Sequence, residues 1–366
     1  MLFSMESTDP NDAIPQTARH GRGATRNPTG RFEPHRRGHV DDGWDGPEAA
    51  PVRTEVHEDS ARRVITRNAS PDVPFDRSIN PYKGCEHGCI YCFARPTHAY
   101  LGLSPGLDFE TKLFKKSNAA ELLANELRRP GYRPATIAIG TNTDPYQPIE
   151  RDTGIMRRIL AVLAEHNHPV SIVTKGALVT RDIDILGPMG RKGLAKVALS
   201  LTTLDTKLCR TMEPRASAPH ARLRAIATLA KAGVPVGVAT SPIIAGLNDH
   251  EIESLLEAGA KAGASWANFV TLRLPHEVSP LFRDWIRTHY PNRANKIMGK
   301  VREMHGGRDY DPQWGKRMRG EGVYAALIAR RFDAARRRLG LRDRTLDLDC
   351  SQFRVPPRPG DQLSLL

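Results

Sequence analysis

The sequence predicts an α/β protein built on a parallel sheet, and two observations carry that prediction. Short apolar runs rich in β-branched residues recur between residues 63 and 280, and amphipathic stretches separate them. The runs are continuous rather than alternating in polarity, the pattern of parallel strands whose outer face is covered by helices.

Taken in order, the chain opens with residues 1–55, rich in Gly, Pro, Arg, Asp and His and poor in aliphatics. Such a stretch buries too little apolar surface to offset its ordering entropy, so disorder is expected there. One strand is expected near the cysteines at 85–92. Five more follow at Thr136–Gly140, Val170–Thr174, Lys196–Leu201, Val236–Thr240 and Ala267–Leu272. Helices are expected at Asn118–Leu127, Gly154–His166, Ala218–Ala232 and Asp249–Ala262. In the second of these, Ile155, Ile159, Leu160 and Leu163 recur at helical spacing. Right-handed crossovers would curl six such strands into a barrel or an open part of one, although the pattern also suits a doubly wound sheet. In βα barrels, chemistry gathers at the C-terminal strand ends.

Residues 281–348 read as a basic helical extension. Between Leu281 and Thr345 there are seventeen Lys or Arg against seven Asp or Glu, much of the net charge of +13. A localised basic surface suits a polyanion such as nucleic acid, or simply keeps a helix face solvated. The last helix carries apolar Val323, Leu327, Ile328, Phe332 and Leu339. Arg330, Arg331, Arg336, Arg337 and Arg338 lie elsewhere on it. It is expected to close the open sheet, and its arginines could also lie along a phosphate backbone. No window approaches the ~18 apolar residues of a membrane span, and the N-terminus lacks a signal-peptide pattern. With only five cysteines, a cytoplasmic location is expected.

Three of those cysteines, Cys85, Cys89 and Cys92, fall within eight positions in the run CEHGCIYC. Three thiolates on one loop can hold three corners of a cubane iron–sulfur cluster and leave the fourth iron open. A structural zinc site usually needs four ligands, and no second cysteine pair is present. His87 lies between the cysteines, where its geometry as a fourth ligand is poor.

This C-x3-C-x2-C run resembles the signature of the radical S-adenosylmethionine (radical SAM) enzymes. The resemblance implies a partial (β/α)6 barrel. It also implies a 4Fe–4S cluster, whose open iron chelates SAM and cleaves it to a 5′-deoxyadenosyl radical. Tyr91, just before the third cysteine, would lie near the adenine. A narrower resemblance follows from the TNTDPYQP–E run after one strand and the TK–G run after the next. Together with the cysteine loop these look like the spore photoproduct lyase branch, which repairs a thymine dimer in DNA. By that resemblance Thr143 would contact the SAM amino group, Lys175 its carboxylate and Ser200 its ribose or carboxylate, while Asp144 and Glu150 brace the rim.

One departure stands out. That branch carries a hydrogen-donating cysteine where this chain has Thr141, and a hydroxyl O–H bond is too strong for the task. Tyr146 is the nearest alternative relay on the rim. Cys209 reads as a small core residue, and Cys350 lies near the tail. Two spare cysteines are too few for a second all-cysteine cluster.

The chain ends Gln362-Leu363-Ser364-Leu365-Leu366 after a Pro-rich linker. This resembles the peptide that docks on the bacterial sliding clamp, with apolar anchors for a pocket. The expected function is therefore a radical SAM enzyme acting on DNA, with a flavodoxin or ferredoxin as electron donor. Two alternatives stay open: the same chemistry on RNA, a protein or a small molecule, and a non-catalytic metal-containing nucleic-acid or clamp-binding module.

Overall fold

A computed structural model describes residues 20–35, 52–343 and 346–357. The strands are β1 Glu55–Glu58, β2 Ile65–Arg67, β3 Arg77–Ile79, β4 Tyr82–Lys83 and β5 Lys112–Lys115. They continue with β6 Ile137–Ile139, β7 Val170–Thr174, β8 Ala195–Ser200, β9 Val236–Ile243 and β10 Trp266–Thr271. Six of them run parallel in the order β3-β6-β7-β8-β9-β10, with β2 antiparallel to β3 at one edge. Each new strand joins the same edge as its predecessor. Right-handed crossovers then put every intervening helix on one face, and the sheet curls around the other. A doubly wound sheet would reverse direction part-way. The expected partial barrel is therefore the fold. Among the described strands β2 and β10 do not pair, so the barrel is open.

The outer face carries the principal core. Ile172, Val197, Leu199, Val236 and Val238 pack with Ile159, Leu163, Ile226, Leu229 and Leu256 from helices Ile155–Glu165, Pro219–Lys231 and Ile252–Lys261. The inner face is narrower. Trp266 lies across Ala198, Gly237 and Ala239, and a Cβ on Gly237 would stand 2.1 Å from the indole. Towards the other end Val173 and Asn268 are exposed, so the lumen opens there.

The expected strands and helices agree with the observed ones to within three residues at nearly every end. Among the elements that the sequence does not signal are one helix and one small sheet. Helix Ile183–Arg191 carries Gly187, Pro188 and Gly190, which read as breakers. The small sheet β1-β5-β4 has strands of four residues or fewer, too short for a periodic signal.

The expectation of disorder over residues 1–55 is corrected at 20–35. Gly23 and Ala24 donate their backbone N–H groups to the Glu110 carboxylate, at 3.0 and 2.9 Å. Arg26 forms a buried ion pair with Asp284 at 2.7 Å. Buried polar contacts, which composition does not register, order this segment. Residues 1–19 and 36–51 lie outside the described residues.

Helices Val278–His289 and Ala294–Glu303 share a second core with the cysteine loop, through Trp285, Phe282, Ile297, Ile90 and Tyr91. Helix Gly322–Arg338 packs on the last strand through Phe332 and Phe269, with ring centroids 4.6 Å apart. Three of its five arginines are committed to ion pairs. Arg331 pairs with Glu253, Arg338 with Glu257 and Arg336 with Asp333. Val323 is 84% exposed and Leu327 is also exposed, so both leave the apolar face on which Ile328 and Phe332 are buried.

Candidate active site at the cysteine loop

Gly84 turns the chain out of β4 at φ +78°, a left-handed conformation that glycine tolerates. The loop then bonds to its neighbours: Cys85 N donates to Phe109 O at 2.9 Å, and Cys92 N to Cys89 O at 3.2 Å. All three thiols are free; Cys85 and Cys89 are buried and Cys92 is half-buried. Burial pushes all three thiol pKa values up, and Asp144 and the neighbouring thiols push Cys85 further. Such thiols ionise when a metal replaces the proton. Among the described residues no three His, Cys, Asp or Glu side chains are gathered as ligands of a single ion. Thiolates on different irons of a cubane stand further apart than that. Three free thiols on one short loop therefore fit the cluster.

The run after β6 holds this loop in place. Gln147 is fully buried: its Oε1 accepts from Glu86 N at 2.8 Å and its Nε2 donates to Gly84 O at 3.2 Å. Asp144 accepts from Tyr146 N (2.9 Å), Thr174 Oγ1 (2.6 Å) and Lys175 N (2.7 Å), and lies 3.3 Å from His87 Nδ1. Burial opposes its charge, but His87 and these donors hold the Asp144 carboxyl well below the usual range. Asp144 thus ties β7 to the cysteine loop, and the His87 nitrogen is turned towards this carboxylate. Thr143 is buried and donates to Tyr82 O at 2.9 Å. Glu150, also buried, accepts from Tyr82 Oη, Met156 N and Arg181 Nη2.

Tyr146 is placed differently from the expectation of a rim relay. Its ring lies in the principal core and its hydroxyl donates to Asp182 at 3.1 Å. A hydroxyl committed there faces the outer helices rather than the lumen.

Behind the cysteines lies a buried charge cluster that carried no local sequence signal. Glu213 accepts from the Tyr91 hydroxyl, from Arg222 and, at 2.9 Å, from Thr202 Oγ1. Arg222 also donates to Ser200 O at 2.9 Å, while Ser200 Oγ donates to Ser241 O at 3.1 Å. The Lys175 ammonium stands 5.6 Å from the Tyr91 ring centroid. Burial opposes its charge, and Cys89 and Glu213 raise its pKa above the ordinary value. Cys209 is buried against the same carboxylate at 3.7 Å, and burial pushes its thiol up to about 12. Lys175 is thus brought to Tyr91, and Arg222 links Glu213 to the Ser200 carbonyl. Asp144 lies beside Lys175 and, with Thr143, braces the cysteine loop.

At the mouth, Phe93 follows the third cysteine and is 42% exposed. Arg273, just past β10, sets its guanidinium 4.6 Å from the Phe93 ring centroid and 6.0 Å from that of Tyr310. Its Nε is buried without a hydrogen-bond partner, and no carboxylate pairs with it among the described residues. The gap between the barrel edges is bridged here. Asp72 of the β2–β3 loop accepts from Gly315 N at 2.7 Å and from Arg317 Nε at 2.5 Å.

An open βα barrel that presents three free thiols on one loop at its C-terminal rim defines a cluster-dependent SAM enzyme. The model of the radical SAM superfamily matches residues 79–259. An uncharacterized protein of Mycobacterium tuberculosis (strain ATCC 25618 / H37Rv) is 38% identical over 260 residues, covering 70% of this chain and 75% of its own. An uncharacterized protein of Methanocaldococcus jannaschii is 25% identical over 249 residues, covering 68% and 89%. Among solved structures, spore photoproduct lyase complexed with dinucleoside spore photoproduct is similar with a TM-score of 0.54. It shows 18% identity and covers 80% of this chain and 84% of its own. A variant of that enzyme with bound AdoMet and the dinucleoside gives 0.53 at 17% identity, covering 78% and 77%.

The chain belongs to the radical SAM superfamily, and its fold is similar to that of spore photoproduct lyase. As a member of that superfamily it uses a 4Fe–4S cluster and SAM. Among the described residues no helix is long and apolar enough to cross a membrane.

Proposed function

We propose that this radical SAM enzyme acts on DNA, as a repair lyase of the spore photoproduct lyase kind. The observation that carries the reading is the mouth beside Cys92. The exposed Phe93 ring offers a stacking face to a base, and Arg273, whose guanidinium donates to Tyr310 Oη and Met318 Sδ but to no carboxylate among the described residues, offers a planar cation to a phosphate. The fold likeness to an enzyme holding a dinucleoside supports it.

Cys85, Cys89 and Cys92 would hold the cluster, which when bound would supply the electron that cleaves SAM to methionine and the 5′-deoxyadenosyl radical that takes hydrogen from the substrate. Lys175 would hold the SAM carboxylate by a charged hydrogen bond. Tyr91, fixed by Glu213, would flank the adenine, and Thr143 and Ser200 would meet the amino group and ribose. Asp144 acts through Lys175 and His87 rather than by contact. Thr141 accepts a 3.5 Å bond from Asn80, and its O–H is too strong to return hydrogen to a substrate radical. Hydrogen therefore returns through another group. This same position favours the second reading, a substrate other than DNA.

The Gln362–Leu366 segment lies outside the described residues, and docking on a sliding clamp is proposed from its sequence. Residues leading to it run beneath the barrel. Asp349 N donates to Gly193 O, Arg354 N to His166 O and Arg128 Nη1 to Pro356 O. Residues 349–357 thus lie on the face opposite the mouth. A flavodoxin or ferredoxin would supply electrons.

The test is 5′-deoxyadenosine release by the anaerobically reconstituted protein with reductant, with no nucleic acid, intact DNA or ultraviolet-irradiated DNA. Stimulation by irradiated DNA is expected. Release that ignores every DNA would reject the DNA reading and leave the radical SAM assignment intact.

A further inference from the structure

A cavity of about 150 Å³ opens between helices Val278–His289 and Ala294–Glu303, lined by Arg283, Arg287, Asn295, Met298, Ile286 and Arg302. Its charge is unbalanced. Arg283 and Arg302 both donate to one carboxylate, Asp309, with bonds of 2.6, 2.7 and 3.0 Å. Arg287 is exposed and forms no ion pair or hydrogen bond among the described residues. Three guanidinium groups thus line the pocket, and only two of them share the Asp309 carboxylate; burial opposes its charge, but Arg283, Ser279 and Arg302 lower its pKa to about 2. The site keeps an excess positive charge at any pH above that value.

Its position gives the charge a use. The opposite face of helix Val278–His289 buries Phe282 and Trp285 in the core shared with Cys89, Ile90 and Tyr91, and Trp285 Nε1 donates to Thr211 O at 3.0 Å. The pocket therefore lies about one helix diameter, roughly 10 Å, from the cysteine loop.

We propose that the Arg283–Arg287–Arg302 pocket binds a backbone phosphate of the nucleic-acid substrate, outside the catalytic mouth. Guanidinium groups suit phosphate because their paired N–H donors match its oxygens. The small volume admits one phosphate group with its water, not a base. Arg283 and Arg302 are held in place by Asp309, so the pocket is pre-organised, and Arg287 is the free arm. This rests on the nucleic-acid reading above, and the test separates the two.

The cluster-loaded full-length protein is titrated with a fluorescent oligonucleotide across a salt series, as wild type, as Arg287→Ala and as Arg287→Glu. Arg224→Glu serves as a charge-matched control, since Arg224 is exposed on helix Pro219–Lys231 away from the pocket. Loss of one phosphate contact lowers the slope of log K against log salt by about 0.9 for duplex DNA. We expect that change for Arg287→Ala, a larger loss of affinity for Arg287→Glu, and neither for Arg224→Glu. Inorganic phosphate should displace the oligonucleotide from wild type more effectively than chloride of equal ionic strength. Equal affinity and slope in wild type and Arg287→Glu would overturn the pocket while leaving the nucleic-acid reading standing. Binding of inorganic phosphate without any oligonucleotide binding would overturn both.

Discussion

Arg95 and Glu110 form an ion pair in which both side chains are fully buried, with Nη2 and Oε1 2.6 Å apart. The pair is the hub of the cysteine loop. Arg95 also donates to the carbonyls of Gly88, Cys89, Pro105 and Gly106. Glu110 accepts the N–H groups of Gly23 and Ala24. One guanidinium therefore shapes the loop from beneath while its carboxylate partner fastens the N-terminal segment over it.

Removing one member of a fully buried pair leaves the other charge uncompensated, a loss of about 3–5 kcal/mol. Glu110→Ala should destabilise the fold by about that amount in urea titrations and lower the iron retained after reconstitution. Gly23→Ala tests the fastening alone. A Cβ there would stand 1.9 Å from Gly88 O, so the segment must lift. We expect faster proteolysis near residue 23 with the rest of the fold kept. Unchanged cleavage would show that the segment tolerates the displacement.

The three loop cysteines and the two others should separate cleanly. Cys85→Ala, Cys89→Ala or Cys92→Ala should each abolish SAM cleavage and reduce bound iron. Cys350→Ser should leave both unchanged. Cys209→Ala should cost about 1 kcal/mol of stability, the scale of a small core truncation, and keep the iron. Turnover retained in Cys89→Ala would remove the cluster assignment. Lys175→Met probes a different step. It should weaken SAM binding at least tenfold, read by equilibrium dialysis, at unchanged iron content.

The barrel was legible because its strands are short, continuous apolar runs and its helices are amphipathic, and both signals are local. The cysteine motif was legible because three cysteines in eight residues is a dense local pattern. What escaped is non-local. Glu213 and Arg222 read as ordinary charged residues, yet they fold into one buried cluster with Tyr91. Gln147 belonged to a run already singled out, but its grip on Gly84 and Glu86 needs the fold. Tyr146 failed as a relay for the complementary reason. Sequence proximity to the rim does not fix which way a side chain turns, and here Asp182 draws the hydroxyl outward.

Acid should loosen the underside of the barrel. His168 is fully buried; its ring meets Phe353 edge-on at 5.5 Å and its Nε2 bonds the Tyr132 hydroxyl at 2.8 Å. Burial lowers its pKa from 6.5 to about 4. Between those values the unfolded chain binds the proton and the folded chain does not. Stability is therefore fully present above pH 6.5 and is lost as pH falls towards 4. A shift of this size corresponds to about 3 kcal/mol. His168→Gln should flatten that part of the stability–pH curve measured by urea denaturation. An unchanged slope would place the titration elsewhere.

The mouth yields the prediction closest to function. Arg273 stacks on Phe93 and carries its charge without a carboxylate partner, an arrangement that a lysine cannot copy because an ammonium is neither planar nor bidentate. Arg273→Lys should leave SAM binding and the slow DNA-independent release of 5′-deoxyadenosine unchanged, since neither uses the mouth. The DNA-stimulated rate should fall by about tenfold or more, the ~1.5–3 kcal/mol of a lost hydrogen bond to a charged group. Phe93→Leu keeps apolar bulk but removes the stacking face, worth about 1–3 kcal/mol per base, so it should lower the same rate and spare the same background. If both variants lowered the DNA-independent rate equally, Arg273 and Phe93 would be supporting the cysteine loop, and the substrate would have to be sought on another part of the rim.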